Sequence, residues 1–151
     1  MKLVKRENGT WQYGLNPIEA DLLNRLLNQF PFTENGPAEI TRTDQDPKVA
    51  EREKLLNESL AEHRKELQQQ GLKLLIKKSK SRVQSQRLIL NAEQREILLQ
   101  ILNDIRIGCW VALGKPDSME PESFNHTAQE LAQHHLMNLA GYFEHHLIGQ
   151  E

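Results

Sequence analysis

Two groups of residues in this chain have types and spacings that chemistry uses. The first is Asn103, Asp104 and Arg106, set inside the otherwise apolar helical run LNDIRIGCWVALG. Charges within such a run are costly to desolvate unless each finds a partner, so they mark a polar contact network or an active site. A catalytic carboxylate at Asp104 needs a second polar group in a shared pocket, and the sequence names none. Arg106 can offer a planar fork to a carboxylate or to backbone carbonyls. These residues therefore predict a structural network tying their helix to an N-terminal hairpin, and no catalytic residue is assigned. The second group is His126, Glu130 and His134, spaced i, i+4, i+8. That spacing can bring helical ligands to one divalent ion. Their stripe faces away from the apolar side, however, without the outer hydrogen bonds that orient ligands. We assign no metal and no cofactor. His135 and His146 fall instead among Leu131, Leu139, Tyr142 and Phe143 on the apolar face, which predicts that both are buried and neutral.

A third cluster is electrostatic. From Lys73 to Arg87 there are six basic residues (Lys73, Lys77, Lys78, Lys80, Arg82, Arg87) and no acid. Such a run can neutralise phosphates, which makes a nucleic-acid-associated regulator working through residues 73–87 the alternative function. It lacks interleaved aromatics, the pI is about 6.3, and cations near a helix C-terminus are favoured by the helix dipole alone. Nucleic acid is therefore disfavoured as a partner. There is no Gly-x-Ser-x-Gly, Walker or dinucleotide-binding pattern. Cys109 lies on an apolar helix face, where a thiol is inert.

The elements that must position these groups follow from local signals. Residues 2–15 read as a hairpin, because Asn8-Gly9 between two strand-like runs accepts positive φ at both turn positions. Asn16-Pro17-Ile18-Glu19 opens a helix with a capping residue, a proline at the first position and a capping box. Its apolar face is Leu22, Leu23, Leu26, Leu27 and Phe30, and Pro31 ends it. After a loop over 31–45, Asp46-Pro47 starts another. Val49, Leu56, Leu60, His63, Leu67 and Leu74 share one stripe, predicting a helix over 47–77 that is weakened or bent at Gly71. The alternative is a stop at Gly71 and a strand through LKLLI. Residues 87–90 (RLIL) read as a strand able to pair with the hairpin. Asn91 and Gln94 form a second capping box for a helix over 92–113, closed by Gly114 and Pro116. A last helix runs from about Ser123 to Leu147. The expected fold is α+β and mainly helical, about four helices with a small antiparallel sheet, in a single domain over 1–151.

LNDIRIGCWVALG resembles the signature helix, roughly LNDLRLxLGxRLG, of an uncharacterised bacterial family known as domain of unknown function two-thousand-seventeen. Leu102, Asn103, Asp104, Ile105, Arg106, Ile107, Leu113 and Gly114 match the pattern. The hairpin, the NPIEADLLNRLL helix and RLILNAEQ occur in the same order, so the similarity spans most of the chain. Trp110 stands where the pattern has glycine, and Ala112 where it has arginine. The resemblance implies a fold and no established activity. For some relatives it suggests a regulatory role, with genes near the adaptor of the Clp protease, which makes that system an expected link.

The net charge of −2 names no partner, and no apolar run approaches the ~18 residues of a membrane span. The N-terminal MKLVKRENG has no apolar stretch behind its basic residues, so no signal peptide is expected. One cysteine excludes an internal disulfide and suits a reducing, cytoplasmic setting. The most apolar helix carries more hydrophobic surface than one core needs, since Ile107, Trp110 and Val111 lie off its main face. Asn103, Asp104, Arg106, Ile107 and Trp110 are thus the candidate structural or interaction motif. The expected function is a non-enzymatic protein-interaction or regulatory module that forms a homodimer.

Overall fold

The computed structural model describes residues 1–31, 47–77, 85–117 and 127–149. Among these, four helices and one three-stranded antiparallel sheet make a mainly helical α+β fold, as expected. Strands β1 (Lys2–Glu7) and β2 (Thr10–Leu15) form the hairpin, with Asn8 and Gly9 at φ 50° and 72° as the turn requires. Strand β3 (Gln86–Asn91) pairs with β2 in the order β1-β2-β3, setting Trp11 opposite Leu90 and Tyr13 opposite Leu88. Alternation then does the sorting: Trp11, Tyr13, Leu15, Leu88 and Leu90 face the core, and Val4 and Ile89 face out.

Helix α1 (Pro17–Gln29) begins as predicted, with Asn16 Oδ1 accepting from the Glu19 amide at 2.8 Å. Glu19 reaches the Asn16 side-chain amide rather than its backbone, and also pairs with the α-amine of Met1. Helix α3 (Ala92–Ala112) carries the full capping box of Asn91 and Gln94. Its C-terminus is a Schellman turn. Gly114 takes φ 86°, its amide donates to Val111 O, and the Lys115 amide donates to Trp110 O. Helix α4 (Ala128–Ile148) starts later than expected, at a capping box formed by Thr127 and Glu130, a T-x-x-E pattern that the expected start at Ser123 passes over. Residues 123–126 lie outside the described residues.

Helix α2 (Pro47–Leu72) departs most from expectation. It does not continue to Lys77 but ends at Leu72, one residue beyond the alternative stop at Gly71, and the strand expected after that stop through LKLLI is not formed. Gly71 is buried against Ile101 of α3, so its missing side chain serves close packing. The chain leaves the helix after Leu72. Both backbone polar groups of Ile76 are then taken by Asn24 of α1, donor and acceptor each at 2.8 Å. That supplies the pairing a further helical turn would have given. Of the predicted apolar stripe only Leu67 and Leu74 are in the core; Leu56, Leu60 and His63 are exposed. The helix packs on α3 and α1, and its buried residues, Leu67 and Gly71, both lie in its C-terminal half.

The core lies between the inner face of the sheet and α1, α3 and α4. Leu23, Leu26 and Leu27 of α1 meet there with Leu98, Ile101, Leu102, Ile105 and Cys109 of α3, and Ala140, Phe143 and Leu147 of α4. The most extensive helix–helix contact among the described residues is that of α3 with α4.

Candidate functional site

Helix α3 presents four faces, and the LNDIRIGCW segment supplies all of them. Leu102, Ile105 and Cys109 enter the core. Asp104 points toward α2, where its carboxylate lies 3.5 Å from Arg64 Nε. Arg106 points toward α4 and donates to Glu144 Oε2 at 2.5 Å. Asn103, Ile107 and Trp110, at i, i+4 and i+7, form one outward stripe. The mid-helix charges thus tie three helices together. The predicted tie to the hairpin is not formed; helix α3 turns its apolar face to the sheet, and apolar packing makes that contact.

Glu144 is a buried carboxylate, and the Arg106 guanidinium is what compensates its charge. Arg106 itself is about half exposed, lying across α4 at Gly141, where an added Cβ would sit 3.8 Å from its Nε. The outward stripe and the facing turns of α4 enclose an open groove of about 640 Å³. Asn103, Arg106, Ile107 and Trp110 line one wall, and Met137, Asn138 and Gly141 the other. Trp110 is held by its indole N–H, which donates to Pro116 O at 3.2 Å. Val111 adjoins the stripe and is also exposed. The groove therefore offers apolar surface, two side-chain amides and one guanidinium already matched within the chain.

It offers little for covalent or acid–base chemistry. The Cys109 thiol is buried in the core, where desolvation pushes its pKa up to about 11. Among the described residues no cluster of three His, Cys, Asp or Glu could hold a metal ion, and His126 lies outside them. The histidine expectation needs correction. His135 is exposed, one position or about 100° round the helix from half-buried Leu136, while His134 is partly buried. His146 is partly buried on the flank of the α4 core stripe, its ring edge-to-face with Tyr142 at 4.4 Å. Burial lowers its pKa, helped by the Met1 α-amine and His145 and opposed by Glu19.

Of the basic run, Lys73, Lys77 and Arg87 line a second cleft of about 430 Å³ between residues 73–77 and β3. Lys78, Lys80 and Arg82 lie outside the described residues. Sequence reasoning missed Glu144, Arg64, Met137, Asn138 and Gly141. For Glu144 the available signal was its place one residue after Phe143 in an apolar stripe, where an unpaired acid would be costly.

Comparison with protein-family models, curated proteins and solved structures finds no match to this chain. No helix among the described residues is long and apolar enough to cross a membrane.

Proposed function

We propose that this chain is a non-enzymatic interaction or regulatory module of the cytoplasm, and that the α3/α4 groove docks a second copy of the same chain. One observation carries this: Ile107, Trp110 and Val111 remain 49, 39 and 37% exposed on one helix face, beside Met137 of the next. Large apolar side chains grouped in this way mark a contact surface. Charge favours a self-complementary partner. A two-fold interface brings each patch against itself, and the groove's guanidinium is already matched by Glu144, so two copies meet without like-charge repulsion. The free thiol, buried and protonated, suits a reducing compartment. The likeness of the α3 segment to the uncharacterised bacterial family is compatible with such a module and adds no activity to it.

The test is oligomeric state. Light scattering at ~100 μM, above the micromolar affinities of weak dimers, is expected to give twice the chain mass for wild type. A variant carrying Ile107→Glu and Trp110→Glu should give a folded monomer. A monomeric wild type at that concentration overturns the proposal, as does a dimer that survives both substitutions.

A further inference from the structure

Helix α2 continues its apolar stripe beyond the part that is buried in the core. Its buried residues, Leu67 and Gly71, lie toward its C-terminal end, yet Leu56 and Leu60 hold the same side of the helix and stay 40 and 36% exposed. Val49, two turns before Leu56 on that side, is half-buried. The positions facing this way are 49, 53, 56, 60 and 63, spaced by four and three in turn. That spacing is the seam of a two-helix coiled coil, where side chains of one helix fit between those of the other. Valine or leucine fills three of the five positions, and Glu53 and His63 fill the rest.

Charge selects the helix that fits this seam. Turned end for end about a two-fold axis beside Ser59, the stripe meets its own copy with Leu56 of one chain against Leu60 of the other. The same register sets Arg52 beside Glu66 of the second copy, twice by symmetry, on exposed flanks of the seam. Glu53 and His63, the two polar seam positions, fall opposite each other, so no like charges meet. A parallel pair would instead bring Glu53 against Glu53 and His63 against His63. We infer that the N-terminal half of α2 binds the same helix of a second copy, antiparallel, as a short two-helix seam. Residues 49–66 overlap for about five turns, a contact of the small and transient size class. The seam uses neither wall of the α3/α4 groove and adds little to the mass seen at ~100 μM, where only micromolar contacts are well populated. Where chains are more concentrated, it joins groove-formed dimers into larger assemblies.

The test traps the contact in the whole chain carrying Ile107→Glu and Trp110→Glu, so that the groove plays no part. Ser59→Cys, beside the axis, is expected to give a linked dimer with a short bis-maleimide, several-fold more than Lys65→Cys on the opposite side of the helix. The native thiol of Cys109 is buried and protonated, so it contributes no background. Arg52→Glu should cut the Ser59→Cys product roughly fivefold or more, because both symmetric pairs become repulsive, and adding Glu66→Arg should restore it. Arg52 and Glu66 are both exposed, so neither substitution disturbs the core. Linkage from Ser59→Cys no greater than from Lys65→Cys overturns the seam. Linkage that Arg52→Glu leaves unchanged, or that Glu66→Arg fails to restore, overturns the antiparallel register. Light scattering before the linker is added reports on the groove separately, and the contrast between positions 59 and 65 decides the seam whatever that mass is.

Discussion

Arg106 and Glu144 show how one pair of side chains sets the cost of many substitutions. Removing Arg106 leaves a buried carboxylate without its compensating charge, while removing both leaves no such group. Arg106→Ala should therefore destabilise the fold by about 1–3 kcal/mol, and Arg106→Ala combined with Glu144→Leu should recover much of that loss in urea denaturation. Equal losses in the single and double variants would show that the pair does not act as a unit. Asp104 and Arg64 are 3.5 Å apart and each partly solvated, so Asp104→Ala should cost less, about 1 kcal/mol or below. His146 gives a prediction in pH. Its pKa in the fold is lowered, chiefly by burial, so the unfolded chain takes up that proton first. Stability is then full above the unfolded value of ~6.5 and declines as pH falls below it. Thermal melts between about pH 7 and pH 5 should show a shallower decline for His146→Gln than for wild type; parallel declines would remove His146 as the cause. The Asn103–Trp110 side of the site was legible because helical periodicity alone places those residues on one stripe. Glu144 and Arg64 were not, since their partners are distant in sequence and come together only when α2, α3 and α4 pack.

At the level of elements, what was legible is what is local. The Asn8-Gly9 turn, the caps at Asn16 and Asn91 and the stop at Gly114 each depend on hydrogen bonds within a few residues, so their chemistry is written in adjacent letters. The end of α2 is only partly local. The glycine next to its last residue offered a stop, but the path beyond, where Asn24 holds Ile76 across 52 positions of sequence, cannot be registered by periodicity continuing past Gly71. The glycine itself read as a point of weakness because its packing partner, Ile101, belongs to another helix. A Cβ at position 71 would fall 2.6 Å from Ile101 Cδ1 and 3.6 Å from Leu27 Cδ2. Ile101 is fully buried, so it has little room to yield. Gly71→Ala should thus destabilise by roughly 1–3 kcal/mol as overpacking, although alanine is the better helix former. Adding Ile101→Val should return part of the loss in chemical denaturation. A more stable Gly71→Ala variant would mean that the two helices do not approach this closely.

Across the whole molecule, the two tryptophans report on two separate events. Trp11 is buried on β2 against two guanidinium groups, Arg6 at 5.1 Å and Arg95 at 5.0 Å from its ring, and Arg95 also donates to Leu147 O at the end of α4. Its surroundings therefore exist only when sheet, α3 and α4 have come together. Trp110 is tethered to Pro116 on the rim of the groove, with more than a third of its surface in water. The chain thus contains a pair of optical reporters with little overlap in what they sense. In Trp110→Phe, emission and its protection from acrylamide quenching follow assembly of the core. In Trp11→Phe, the remaining indole is open to quencher until something covers the groove, so a blue shift with rising protein concentration reads dimerisation without any attached label.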